Sequence, residues 1–153
     1  KDTLNVVLVG MAGSGKSTIG EMVAKQLGRE FIDTDKLIEK RENRDIPSIF
    51  KDSGEEYFRQ VESAVLKEVG LLTGKVIATG GGVVKNAENY PSLKANGKIF
   101  WIDRNPKTLA LDGRPLSKDK QTAIELYKER EPKYRAFSDV IIENNADIQS
   151  AVQ

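Results

Sequence analysis

Leu4-Asn5-Val6-Val7-Leu8-Val9, followed by Gly10-Met11-Ala12-Gly13-Ser14-Gly15-Lys16-Ser17, decides how the rest of the chain reads. The first six residues are nearly all apolar, as a parallel strand covered on both faces is. The next eight match G-x-x-x-x-G-K-[ST] at every fixed position. A helical pattern follows at once, with Ile19, Met22, Val23 and Leu27 at 3–4 spacing. Strand, glycine loop and helix are the context in which this motif works. Its glycines let backbone N–H groups close around phosphate oxygens, and the helix turns its partial positive end to the same anion. Lys16 would then reach the β- and γ-phosphates, and the Ser17 hydroxyl would ligate Mg²⁺. The plainer alternative is a turn that only closes a strand–helix joint. The motif in this context implies a nucleoside triphosphate site.

Outward from the loop, short β-branched runs alternate with longer helical patterns. Strands are predicted at Phe31-Ile32, Lys75 to Thr79, Lys98 to Ile102 and Asp139 to Ile142. Helices are predicted at Asp33 to Arg41, Tyr57 to Val69, Asn86 to Ala95 and Thr122 to Tyr134, the second with Phe58, Val61, Val65 and Val69 on one face. Alternation of this kind predicts an α/β fold, three layers with a central parallel sheet of about five strands. Ligands should gather at the carboxyl ends of those strands. No repeat, low-complexity tract or linker divides the chain, so a single domain over 1–153 is expected.

Composition narrows the chemistry. The 153 residues carry 24 Lys and Arg against 23 Asp and Glu, a formal net charge of +1, which gives no electrostatic case for nucleic acid or a membrane surface. Zero Cys and zero His remove thiol nucleophiles, disulfides, zinc clusters and imidazole bases together. The longest apolar runs are strand-sized, far below the roughly 18 residues of a membrane span. No signal peptide is visible, and Lys1 in place of Met suggests a trimmed chain, with a removed leader left open. The expected setting is the cytoplasm. Any chemistry must draw on carboxylates, Lys, Arg, hydroxyls and backbone amides, with a hard metal as an option.

Asp33 and Asp35 close the second strand two residues apart, facing the same way in extended geometry and beside the phosphate loop. One could support Mg²⁺ and the other accept a proton from an attacking hydroxyl, with Asp35 the better base. Either also fits as the N-cap of the helix that follows. Gly80-Gly81-Gly82 after a strand permits close ligand approach or donation of bare amides, with a flexible turn as the alternative. Arg59 stands beside the apolar stripe of its helix, with Glu62 one turn on to fix its guanidinium. Arg135 follows the helix ending at Tyr134; taken alone, either arginine suits a solvated surface. Phe50 and Phe58 read as core. Arg114 sits in the polar stretch 112–120, suited to a mobile lid that swings over the phosphates.

Taken together, GMAGSGKST at 10–18, FIDTD at 31–35, Phe58-Arg59 with Glu62, ATGGG at 78–82, RPL at 114–116 and EREPKYR at 129–135 leading to Ser138-Asp139 resemble the shikimate kinases. These belong to the nucleoside-monophosphate-kinase-like P-loop proteins, and the match runs in order along nearly the whole chain. The resemblance implies Mg²⁺- and ATP-dependent phosphorylation of the 3-hydroxyl of shikimate, on the route to chorismate and aromatic amino acids. It implies an ATP site of Gly13, Ser14, Gly15, Lys16, Ser17, Thr18 and Arg114, with Mg²⁺ on Ser17 and Asp33. Asp35, Arg59, Gly80, Gly81, Gly82 and Arg135 would hold shikimate, within a helical region at about 34–62. Lys16, Asp35 and Arg114 would be catalytic, and a monomer is expected.

One departure stands out. Thr108-Leu109-Ala110-Leu111 occupies the stretch where many relatives carry an adenine-stacking arginine, so adenine must pack differently here. Asn144-Asn145 falls where the family places an adenine-side loop. Gluconate kinases share the loop and size, but the set Asp35, Arg59, Gly81 and Arg135 argues against them. No base-recognition pocket for a nucleoside monophosphate is found, and neither an Asn-Lys-x-Asp segment nor a post-strand Asp-x-x-Gly marks a GTPase switch. A silent binding domain is disfavoured because Lys16, Asp35 and both arginines are present.

Overall fold

The computed structural model describes residues 3–11, 14–103 and 118–143. Gly13, Arg114, the lid stretch as far as residue 117 and Asn144-Asn145 lie outside the described residues.

Five parallel strands form one sheet: β1 (Asn5–Val9), β2 (Phe31–Asp33), β3 (Val76–Ala78), β4 (Gly97–Asp103) and β5 (Val140–Glu143), in the order β2-β3-β1-β4-β5. In the centre, Val7 of β1 is in register with Ile77 of β3 and Ile99 of β4. Period-2 geometry sends β1 side chains alternately to two faces. Val7 and Val9 enter a large core with Ile77, Ile99 and Trp101, while Leu8 packs with Ile19 and Ile102 on the other face. Each such side chain, fully buried, stabilises the fold by about 1.5–3 kcal/mol. The three-layer parallel sheet expected from the alternating pattern is the one found.

The helices are α1 (Lys16–Leu27), α2 (Thr34–Glu42), α3 (Ile46–Gly70), α4 (Asn89–Lys94) and α5 (Lys118–Phe137). The third begins earlier than its apolar stripe suggests. Asp45 caps it by accepting from the Ser48 amide at 2.8 Å, and the helix breaks at Gly54, whose φ of +87° is non-helical. That glycine hides the first two turns from a periodicity reading. Between β3 and α4 the chain makes a 3₁₀ turn over Val83–Lys85, so the helix expected from Asn86 is shorter. At the other end, α5 runs past Tyr134 and includes Arg135, which the sequence reading put after the helix. Its last turn is held down by Phe137, whose ring meets Tyr90 edge-on at 5.4 Å. Phe58 is core as expected; Phe50 is half out in solvent, leaning on Phe58 with ring centroids 4.8 Å apart.

Because every strand runs the same way, the segments after β1, β2 and β3 emerge on one edge of the sheet. The phosphate loop, the acidic pair and the glycine run are thereby neighbours.

Candidate active site

Gly15 ends the phosphate loop with φ +95°, a backbone conformation that glycine adopts without penalty, and it is the N-cap of α1. Lys16 follows in the first turn and is 8% exposed. Its ammonium donates to the carbonyls of Gly10 at 2.5 Å and Met11 at 2.9 Å, which ties the lysine back onto its own loop. Burial lowers its pKa to about 8, against the opposing pull of the Asp35 and Asp33 carboxylates.

Asp33 takes both parts that its position allows. One carboxylate oxygen caps α2, accepting from the amides of Asp35 at 3.0 Å and Lys36 at 3.3 Å. The other accepts from the Ser17 hydroxyl at 3.1 Å. Ser17 and Asp33 thus offer two hard oxygens side by side, the protein share that suits Mg²⁺, which completes its shell with phosphates and water. Among the described residues no group of three or more acidic side chains could hold a metal without such help.

Asp35 lies one step further into the same cleft, which has a volume of about 280 Å³ and is lined by Gly15, Lys16, Ser17, Thr18, Asp33, Asp35, Thr79 and Gly81. Its Oδ1 is buried with no hydrogen-bond partner among the described residues. Burial raises its pKa, with the Asp33 charge adding to the effect and Lys16 and Arg59 opposing it. A carboxylate with a bare buried oxygen and raised basicity is equipped to accept a proton.

The glycine run is explained by what abuts it. A Cβ on Gly80 would fall 2.6 Å from Asp35 Oδ1, and one on Gly82 would fall 2.7 Å from the guanidinium carbon of Arg59. Absence of side chains here lets the chain's own carboxylate and guanidinium press against bare backbone, a close approach from within the protein rather than the ligand approach expected from the sequence. Arg59 is fixed as expected, donating from Nη1 to Glu62 Oε1 at 3.0 Å and from Nε to Glu55 Oε2 at 3.3 Å. Glu62 is 1% exposed, its carboxyl pKa raised by burial and pulled back by Arg59, and its Oε2 has no partner among the described residues. Thr79 anchors the strand end, donating from Oγ1 to the Leu8 carbonyl at 2.8 Å.

Arg135 is placed apart from this group. Its guanidinium lies over the Trp101 ring, 5.4 Å from the centroid, and pairs with Glu131 at 3.6 Å. Two residues of the same helix to which the sequence reading gave no part stand closer. Arg130 is near enough to Lys16 and Glu62 for its charge to act on both. Tyr134 donates its hydroxyl to the Gly81 carbonyl at 2.5 Å. Their spacing of four, with Tyr127 three residues before Arg130, puts all three on one helix face, the signal by which they could have been found.

A phosphate loop with its lysine and hydroxyl, a metal-fit carboxylate and a second, basic carboxylate in one cleft define a P-loop small-molecule kinase. The comparisons carry this further. A family model described as shikimate kinase matches residues 12–153. The chain is 43% identical, over 96% of its length and 92% of the relative's, to a shikimate kinase of Clostridium botulinum (strain Eklund 17B / Type B). Its fold superimposes on that of a shikimate kinase from Acinetobacter baumannii in complex with shikimate, with a TM-score of 0.87 and 35% identity over 97% of this chain and 87% of that one. A gluconokinase from Sinorhizobium meliloti, at 17% identity and a TM-score of 0.62 over 99% of this chain and 89% of that one, shares the fold alone. The chain belongs to the shikimate kinase family.

Proposed function

We propose the following division of labour for the reaction of this family, transfer of the ATP γ-phosphoryl group to the 3-hydroxyl of shikimate. The loop amides of residues 13–18 and the Lys16 ammonium hold the triphosphate, and Thr18, exposed at the cleft wall, borders it. Ser17 and Asp33 would hold Mg²⁺, which when bound would neutralise charge on the β- and γ-oxygens. Asp35 accepts the proton of the attacking hydroxyl as the phosphoryl group is transferred in line, with no covalent enzyme intermediate. Arg59, braced by Glu62, meets the shikimate carboxylate, since a guanidinium fork matches a carboxylate in geometry and charge. Arg135 joins it from the last turn of α5 by leaving the Trp101 face. Glycines 80–82 offer backbone to the ring hydroxyls. Arg114, on a lid that gives way to α5 at Lys118 rather than running to residue 120, closes across the phosphates and excludes water. Residues 34–62 form the shikimate side of a single domain over 1–153.

The observation that carries this reading is the contact of Asp35 with Gly80 and of Arg59 with Gly82, which sets a base and a carboxylate-binding group on one bare backbone strip beside Lys16. A monomer in the cytoplasm completes this reading. Among the described residues no helix is long and apolar enough to cross a membrane.

ADP release with ATP, Mg²⁺ and shikimate, gluconate or no acceptor tests the assignment. Release that depends on shikimate is expected. Release with gluconate would break the carboxylate and hydroxyl assignments, and silence with every acceptor despite ATP binding would favour a binding domain.

A further inference from the structure

The Gly80 and Gly82 carbonyls are held locally, accepting from the Val83 amide at 3.2 Å and the Lys85 amide at 3.0 Å, whereas the Gly81 carbonyl between them is held from a distant helix. Three consecutive glycines leave the backbone freer than any other residues would, and ordering each costs about 1–2 kcal/mol of conformational entropy. Residues that fix these peptides before the substrate arrives reduce the cost of binding it. Asp35 and Arg59 press against Gly80 and Gly82, but neither is hydrogen-bonded to the peptide between them. Tyr134 is. It is fully buried, its ring stacks on the buried Trp101 with centroids 5.7 Å apart and planes 25° apart, and its hydroxyl reaches the Gly81 carbonyl at 2.5 Å across 53 residues of sequence.

The hold has a defined geometric effect. In a trans peptide the N–H points opposite to the C=O, so a Gly81 carbonyl held towards α5 turns the Gly82 amide away from it. The helix that carries Tyr134 is itself tethered at a second point, where Tyr127 donates to Oδ1 of Asp103, the last residue of β4, at 2.7 Å. Burial keeps the Tyr134 hydroxyl protonated, and hence a donor, through the neutral range, although the adjacent Arg130 guanidinium pulls the other way.

We propose that Tyr134 is a positioning residue for the acceptor: through its hydrogen bond to the Gly81 carbonyl it sets the orientation of the Gly81–Gly82 peptide, and so the amides that the glycine run presents to shikimate. This rests on the reading that glycines 80–82 contact the acceptor. It also assigns a function to the helix that follows the lid, coupling its seating on Trp101 to the shape of the acceptor side.

Tyr134→Phe keeps the ring and its stack on Trp101 and removes only the hydrogen bond. In the full chain it should raise the KM for shikimate about tenfold, the effect of one well-placed hydrogen bond, and leave the KM for ATP within about twofold. Amide NMR of the glycines supplies an independent readout. In the parent protein, shikimate should shift the Gly81 and Gly82 amide signals; in the variant those signals should broaden or move before shikimate is added. A melting temperature that falls while both KM values stay put, or KM values that rise together, would reduce Tyr134 to a structural residue and overturn the proposal. Glycine amides that ignore shikimate in the parent protein would overturn the reading beneath it as well, whereas shifted amides with an unchanged shikimate KM in Tyr134→Phe would overturn the proposal alone.

Discussion

The nucleotide side and the acceptor side of the cleft are built on different principles. On the nucleotide side, a contiguous stretch bends back on itself: Gly15 supplies the turn, Lys16 bonds to carbonyls five and six residues behind it, and α1 begins at once. On the acceptor side nothing is contiguous. Asp35 comes from the start of α2, Arg59 and Glu62 from α3, the glycines from the end of β3, and Tyr134 from α5. The first side is a local motif that any strand and helix can carry. The second exists only once the whole sheet is assembled, and in the proposed division of labour it is the side that selects the acceptor.

Among variants that break one side alone, the largest expected effect lies on the nucleotide side. In the proposed division of labour Lys16→Met removes the cation that meets the transferred phosphate, and turnover should fall by about 10³, the upper range for loss of one electrostatic stabiliser of a transition state. Steady-state rates at saturating shikimate would show it; a fall of less than tenfold would mean that the loop amides suffice.

Next comes the carboxylate grip. Arg59→Ala should raise the KM for shikimate by about 10–100-fold, as loss of a charge-assisted hydrogen bond does, with the KM for ATP little changed. Arg135→Ala should act in the same direction but less, because its guanidinium rests on Trp101 and Glu131 rather than against the glycine run. An effect on ATP alone for either variant would move that arginine to the other side of the cleft.

The two sides should also separate by pH. Lys16 must be charged to meet phosphate, so kcat/KM for ATP should fall as pH rises through about 8. Bound phosphates favour the ammonium, which moves that limb upward when ATP saturates the enzyme. Asp35 must be ionised to accept a proton, so kcat/KM for shikimate should fall on the acid side as pH drops through a carboxyl value raised by burial and by Asp33. A profile for ATP that stays flat from pH 7 to about 10 would contradict the buried-lysine account.

How much of this was legible in the chain follows the same division. The loop, the strand before it and the helix after it could be read residue by residue, because backbone geometry over eight positions dictates both composition and spacing. The sheet followed from alternation, since parallel strands leave apolar runs that helices must cover. Asp35 and the glycine run could be singled out from spacing and composition, whereas the roles of Arg59 and Arg135 rest on family resemblance, for an isolated arginine carries no local mark of its neighbours. Three features stayed hidden for physical reasons. The early start of α3 was masked by the break at Gly54. The reason for glycine at 80 and 82 depends on side chains from α2 and α3, more than twenty residues distant in sequence. The parts of Tyr134 and Arg130 depend on how α5 docks on Trp101, and helical spacing alone does not say which face docks.

Asp35 is where the two sides meet, and Asp35→Asn tests their union most directly. The variant keeps the shape of the side chain and removes its charge and its capacity to accept a proton. Measured together on one preparation, ATP affinity should stay within about twofold, while shikimate-dependent ADP release falls by about 10²–10⁴, the range supplied by a positioned base. Turnover that survives unchanged would contradict the account, because the transfer would then be running without the carboxylate around which the cleft is assembled.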